Sequence, residues 1–350
     1  METLSDEFYT DSDSDEGFCL EYKHRVKEGQ EDDCFEYIKF YIGENIASGA
    51  FGTVYFAHVI ESNIKKLLPS TMACKKIEHK GDDYTRNIVK NAEVKFTQTG
   101  RTKSLIHLYC AIDTKDAIYL FFAFHNGRDL KTLMEMKGKM PEKLCAKIIK
   151  QILKGLTELH QRNIIHRDIK PDNILIHFDC LDPSKLVKRE FLQDWDPEVH
   201  DIFSIIITDL GISCNCDSNM ENKVGTMFYL APECFDSTYD HSADILSLGL
   251  IAFEMLTGKK LFTYSDMGGD KQKLCQLWKD KREYEIHCSY EARQFLQHTI
   301  QVNPYERLKA DELLFLDFIE NAYNENEYTC LENLDDCFIL PTDRKIPFEL

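Results

Sequence analysis

At Gly127 the spacing of the apolar residues changes character, and that change restricts the chain to a two-part fold. Upstream, YIKFYIGENIA, GTVYFAHV, TMACKKI, SLIHLYCAI and AIYLFFAF are short apolar runs separated by glycine or polar clusters, as expected of strands. One stretch among them, DDYTRNIVKNAEVKFTQ, has helical spacing, with Val89, Ala92 and Phe96 on one face. Downstream, MPEKLCAKIIKQILKGLTELHQ (140–161) places Pro141 at a helix start, followed by Leu144, Ile148, Ile152, Leu156 and Leu159 at helical spacing. SADILSLGLIAFEMLTG (242–258) is apolar nearly all round and ends on Gly258, which predicts a buried helix with a glycine stop. SYEARQFLQHTIQ and KADELLFLDFIENAY add further helices. The expected class is α+β and bilobal. A small β-rich lobe with one main helix covers about 37–124, and a larger helical lobe covers about 127–319. A ligand belongs in the crevice between them.

Charge separates a body from two tails. The net charge is −18, of which residues 1–36 carry −10 and residues 320–350 carry −6, leaving −2 for 37–319. Dense charge with little hydrophobicity reads as a disordered acidic tail over 1–36, and 320–350 reads as a second acidic tail. A nearly neutral body lacks the basic footprint of a nucleic-acid binder. The 13 cysteines form no C-x-x-C pair, so the thiols read as reduced and the protein as cytoplasmic or nuclear. The acidic start is neither a secretory signal nor a transit peptide, so the chain is not expected to be secreted. IYLFFAF (118–124) is too short to span a bilayer. A monomer is the default state. In DSDSDE, Ser12 and Ser14 sit among acids, as in a substrate of an acid-directed kinase or simply in a solubilising tail; the latter is preferred.

Chemistry concentrates in IIHRDIKPDNILI (164–176). Phosphoryl transfer to a hydroxyl needs a carboxylate near the attacking oxygen and oxygen ligands for Mg²⁺. Asp168 and Asn173 supply one of each, five residues apart. The stretch HRDIKPDN resembles the catalytic loop of eukaryotic protein kinases, in the version with a lysine two residues after the Asp that is found in serine/threonine kinases. The resemblance implies that Asp168 orients the substrate hydroxyl, Lys170 sits by the transferred phosphate and Asn173 binds a metal. It extends over about 37–319. TMACKKI resembles V-A-I-K and points to Lys75, after Ala73, as the lysine of the α/β-phosphates, with Lys76 as competitor; Glu93 is its implied partner. IIITDLGIS resembles D-F-G with Leu210 for Phe, making Asp209 the main Mg²⁺ ligand. GTMFYLAPE resembles the end of an activation segment, implying that Glu233 pairs with Arg307 and that Asp244 anchors the catalytic loop.

IASGAFGTVY then resembles the glycine-rich nucleotide loop G-x-G-x-x-G-x-V, with Ala47 at the first glycine position. The implied nucleotide contacts are Ala47, Ser48, Gly49, Ala50, Phe51, Gly52 and Val54. IYLFFAFHNGRDL resembles the hinge, with Phe122 at its inner end. Backbone groups of Ala123 and His125 would meet the adenine edge, Val54 and Ala73 one ring face, Leu175 the other, and Asp129 the ribose. The implied protein is an ATP- and Mg²⁺-dependent serine/threonine protein kinase acting on protein hydroxyls in signalling. The rival is a pseudokinase scaffold acting by binding. Regulation is expected in the activation segment (209–233), with Ser213, Ser218 and Thr226 as phosphate acceptors for an upstream kinase or for autophosphorylation. Thr226 also stands where the family holds Asp168 and Lys170, which makes Ser213 and Ser218 the better switches. An insertion at about 179–202, between Asn173 and Asp209, reads as a solvated loop, with a docking or regulatory role as the alternative.

Overall fold

The computed structural model describes residues 9–11, 17–25, 35–49, 52–63, 68–79, 103–195, 203–215, 226–235, 239–262 and 287–321. The helix expected within 82–98, and with it Glu93, lies outside the described residues, as do Ala50, Phe51 and Ser218. Seven antiparallel strands form the N-lobe sheet, in the order β1-β2-β3-β4-β5-β7-β6. They are β1 (Tyr9–Asp11), β2 (Phe18–Arg25), β3 (Phe35–Gly49), β4 (Gly52–Ser62), β5 (Thr71–Glu78), β6 (Leu108–Asp113) and β7 (Ala117–Ala123).

Strand β7 explains why its sequence is an unbroken apolar run. Tyr119 and Phe121 face a cluster with Phe40, Ile42, Ala57, Met72 and Cys74, and Phe121 stacks on Phe40 at 4.0 Å. Ile118, Leu120 and Phe122 face the opposite way, toward Ile77, Ile106, Leu108 and Ile206. A strand covered on both sides has no polar face to alternate.

The expected disordered tail over 1–36 needs correction at residues 17–25. All eight residues of β2 pair with β3, from Phe18 opposite Ile42 to Arg25 opposite Phe35. Leu20 is fully buried in the cluster with Phe40 and Phe121, while Phe18 meets Tyr55 and Tyr119 edge-on at 6.3 and 6.0 Å. Apolar burial on one face holds the segment despite its charge.

The C-lobe follows the helical spacing. Helices α1 (Leu130–Lys137) and α2 (Glu142–Gln161) precede the short strands β8 (Ile164–Ile165) and β9 (Ile174–His177). After them come α3 (Arg189–Asp194), β10 (Ser204–Ile207), β11 (Cys214–Asn215), the buried α4 (Ser242–Thr257), α5 (Tyr290–Thr299), α6 (Ala310–Leu313) and α7 (Asp317–Glu320). Gly258 stops α4 at φ 72, returning its N–H to the Glu254 carbonyl. KADELLFLDFIENAY yields two short helices, α6 and α7, in place of a long one.

The insertion is corrected in part: its described residues, 179–195, are mostly exposed but include a packed element. Trp195 and Leu192 are buried, and Trp195 meets Phe178 and Phe203 edge-on, both at 5.2 Å. Lys137 Nζ of α1 donates to the carbonyls of Gln193 (2.7 Å) and Trp195 (2.6 Å), capping the free end of α3.

Truncating either anchor tests these two corrections. Leu20→Ala should lower the unfolding free energy by about 2–5 kcal/mol and Trp195→Ala by about 3–5 kcal/mol. Urea denaturation followed by fluorescence and circular dichroism reads both; an unmoved midpoint for Leu20→Ala would return residues 17–25 to a free tail.

Candidate active site

Two ladders hold the catalytic loop. β8 pairs with β11 and β9 with β10, so residues 166–173 run between two fixed strands and Asp209 follows the end of β10. Thr208 N donates to the Asn173 carbonyl at 3.0 Å, tying the two segments where they carry chemistry. Arg167 (φ 73) and Asp209 (φ 64) both adopt left-handed backbone, which costs a non-glycine residue about 1–2 kcal/mol.

Asp244, fully buried on α4, stabilises the first of these turns. Its carboxylate accepts from His166 N (2.9 Å), Arg167 N (3.0 Å) and His160 Nε2 (3.0 Å). Burial pushes its pKa up, but the hydrogen bond and charge of His160 outweigh that and hold the carboxyl below its ordinary range. His166 Nε2 lies 2.9 Å from the Thr208 carbonyl, linking the same turn to the Asp209 segment.

Asp168 is nearly enclosed, and both of its oxygens are taken. Oδ1 accepts from Thr226 N (2.9 Å) and Thr226 Oγ1 (2.8 Å). Oδ2 accepts from Lys170 Nζ (2.6 Å) and Asn173 Nδ2 (3.0 Å). Lys170 also donates to Thr226 Oγ1 at 3.0 Å, so the expected role of Thr226 as the tie between Asp168 and Lys170 is present. Asn173 spends Nδ2 on Asp168, and its Oδ1 accepts no hydrogen bond among the described residues. Glu233 and Arg307 form the expected two-pronged ion pair, with Nη2 to Oε2 at 2.9 Å.

Lys75 and Lys76 turn to different partners. Lys75 is buried and its Nζ lies 2.9 Å from Asp209 Oδ1, whereas Lys76 turns outward to Glu78 at 3.3 Å. Burial alone would raise the Asp209 pKa; the Lys75 ammonium overrides it and holds the carboxyl low. Oxygen from Asp209 and the open Asn173 Oδ1 together make a donor set suited to a hard cation such as Mg²⁺.

The glycine-rich stretch lies at the β3–β4 junction. Gly49 pairs with Gly52, and Ala47 pairs with Val54. Gly52 has φ 129, and a Cβ there would run into the Lys76 carbonyl oxygen, so glycine is required. Ala47 lies within β3 and is absent from the positive-φ positions, so alanine fits there without strain. Ser48 accepts from Asn45 Nδ2 at 2.9 Å.

Ala73 and Leu175 pack from the two lobes onto the cluster that holds Phe122, an arrangement able to sandwich a flat ring. Ala123 N is taken by the His107 carbonyl at 2.9 Å, but neither backbone group of His125 makes a hydrogen bond among the described residues. Those are the groups available to an adenine edge. Burial and the nearby His177 push the His125 imidazole down to about 3, keeping it neutral. Asp129 caps α1, its Oδ1 accepting from Thr132 N at 2.7 Å.

Ser213 is a correction: it is buried, and its hydroxyl donates to the His166 carbonyl at 3.2 Å, so it does not present itself as a phosphate acceptor. Asn126 was not anticipated. Fully buried, it accepts at Oδ1 from Phe178 N (2.8 Å), donates to the Phe178 carbonyl (3.1 Å), and offers its own carbonyl to Val187 N (2.8 Å). Arg128 Nε adds a bond to the Val187 carbonyl at 2.6 Å. The insertion thus braces the hinge from behind. An asparagine immediately before a glycine in a connecting segment was the available signal, but it reads equally as a plain turn.

Residues 40–319 match the description "Protein kinase domain". The serine/threonine-protein kinase BCK1/SLK1/SSP31 of Saccharomyces cerevisiae is 31% identical over 79% of the chain and 18% of its own length. An Aurora kinase of Yarrowia lipolytica is 27% identical over 78% of the chain and 66% of its own. Serine/threonine-protein kinase 33 of Mus musculus is 28% identical over 79% of the chain and 54% of its own. The chain therefore spans less than two thirds of each of these proteins.

The buried carboxylates give a signed pH prediction. Asp209 and Asp244 have folded pKa values below the unfolded ones, so their contribution is complete above about pH 4 and is lost as pH falls through the folded values. Asp244→Asn should lower stability at pH 7 by about 3–5 kcal/mol and flatten the acid limb. Urea unfolding between pH 3 and pH 7 measures both effects.

Proposed function

The chain belongs to the protein kinase family, and from that premise we propose that it is an active serine/threonine protein kinase moving the γ-phosphoryl group of ATP to protein hydroxyls. One observation carries the reading: two carboxylates, each paired with its own lysine, stand at the ends of one braced loop system. Asp168 holds Lys170 at 2.6 Å, and Asp209 holds Lys75 at 2.9 Å. A family member that only binds has no need to keep both pairs.

In the proposed step, a serine or threonine oxygen bonds to the γ-phosphorus while the bond from that phosphorus to the β,γ-bridging oxygen breaks. ADP leaves, and the hydroxyl proton passes to Asp168 and on to water. Lys170 faces the transferred group, and Lys75 the α/β-phosphates. Asp209 and Asn173 Oδ1 would hold Mg²⁺, which when bound neutralises phosphate charge. His125 backbone groups would meet the adenine edge, and the second Asp129 oxygen would reach the ribose.

Regulation through 209–233 forms part of the proposal. With Ser213 and Thr226 both committed to hydrogen bonds, Ser218 is the acceptor we favour. A cytoplasmic or nuclear location is also proposed, supported by the scattered cysteines.

Labelled phosphate transfer from Mg²⁺–ATP to generic serine-containing proteins tests the reading. Wild type should turn over at about 1–100 s⁻¹. Asp168→Asn, Asp209→Asn and Lys75→Met should each lose about 10²-fold or more. Undiminished transfer in any of the three would overturn the assignment, and nucleotide binding without transfer in wild type would make the protein a scaffold. Separately, Ala47→Gly should shift apparent ATP affinity by less than about 1 kcal/mol, measured by calorimetric titration.

A further inference from the structure

We infer that the platform beside Asp168 selects peptides with acidic side chains near the acceptor hydroxyl, and that Lys260 is the residue that reads them. This rests on the kinase reading of the same site and names its substrate class.

Gly258 ends α4 in a left-handed turn and sends the exposed Lys259 and Lys260 back toward the segment that carries Thr226. The Lys260 ammonium stands 4.8 Å from the ring centroid of Phe228 and 5.2 Å from that of Tyr229. Two aromatic faces hold the charge in place by their quadrupoles while leaving it open to water. Among the described residues Lys260 has no ion pair.

The carboxylates around it are in the opposite condition. Asp168 is bound by Lys170, Asn173 and Thr226. Asp172 is paired with Lys131 at 2.8 Å and Glu233 with Arg307. Glu254 accepts the Tyr229 hydroxyl at 2.7 Å. Asp168, Asp172 and Glu233 are thus each ion-paired, Glu254 is held by the Tyr229 hydroxyl, and Lys260 is the exposed cation seated on the aromatic pair Phe228 and Tyr229.

Position makes that charge relevant to a substrate. Thr226 Oγ1 lies 2.8 Å from Asp168, where the acceptor hydroxyl must sit, and Phe228 is two residues further along. An extended peptide advances about 3.3–3.6 Å per residue, so Lys260 meets a side chain only a few residues from the acceptor. The chain's own DSDSDE, with Ser12 and Ser14 between carboxylates, has the composition such a surface prefers.

The test uses the full chain and three peptides. The first copies residues 6–17, DEFYTDSDSDEG; the second replaces its acids by Asn and Gln, the third by Lys. Steady-state transfer and equilibrium anisotropy binding are measured for each, with wild type, Lys260→Ala, Lys260→Glu and the control Lys259→Ala. The acidic peptide should exceed the neutral one in kcat/KM and affinity by about fivefold, the difference shrinking at high salt. Lys260→Ala should erase the preference, Lys260→Glu should reverse it toward the lysine peptide, and Lys259→Ala should retain it. Equal use of all three peptides, or a preference indifferent to Lys260, overturns the inference while leaving the kinase reading intact. Lys260-dependent binding of the acidic peptide without any transfer would uphold the docking site and sink the kinase reading instead.

Discussion

Everything at the candidate site depends on one buried carboxylate that never touches a substrate. Asp244 reaches from the core of α4 to two consecutive amides of the catalytic loop and to His160. Without a strong acceptor there, Arg167 would relax from its left-handed backbone and the Asp168 side chain would lose its aim. Hydrogen bonds to an ionised group are about twice as strong as neutral ones, and a helix buried on all sides is a rigid place from which to make them. The apolar wall of α4 is thus a condition for the polar geometry.

The hinge is held in a comparable way from the opposite side. Asn126 and Arg128 are tied to Phe178 and Val187, and the aromatic contacts of Trp195 fix the segment that carries Val187. The inserted residues therefore extend the C-lobe core up to the crevice. What would otherwise be a connection free to swing is braced by hydrogen bonds that need no solvent exchange.

Reading the sequence succeeded where chemistry demands particular residues in order. The residues of HRDIKPDN, Lys75 and Asp209, singled out from their order along the chain, are brought together in the structure, and α4 was legible because its helix is apolar on every side. It failed where packing overrode composition. In β2 the alternation of Phe18 and Leu20 with polar neighbours was present, but the charged run DSDSDE before it and the charged residues after it made the segment look like a solvated tail. The six-residue α3 was too short for helical periodicity to register, although Phe191, Leu192, Trp195 and Phe203 marked a cluster. Burial of Ser213 depends on the fold of a neighbouring turn, which no local pattern encodes.

Asp168 has four hydrogen-bond donors already in place. On the proposed reading, a substrate hydroxyl arriving there would gain a partner only as another is displaced, so docking at that atom would be an exchange with little change in the number of bonds formed. Grip on a peptide must then come from contacts away from the hydroxyl. A centre arranged in this way would be indifferent to which serine it meets and would leave discrimination to the surface around it.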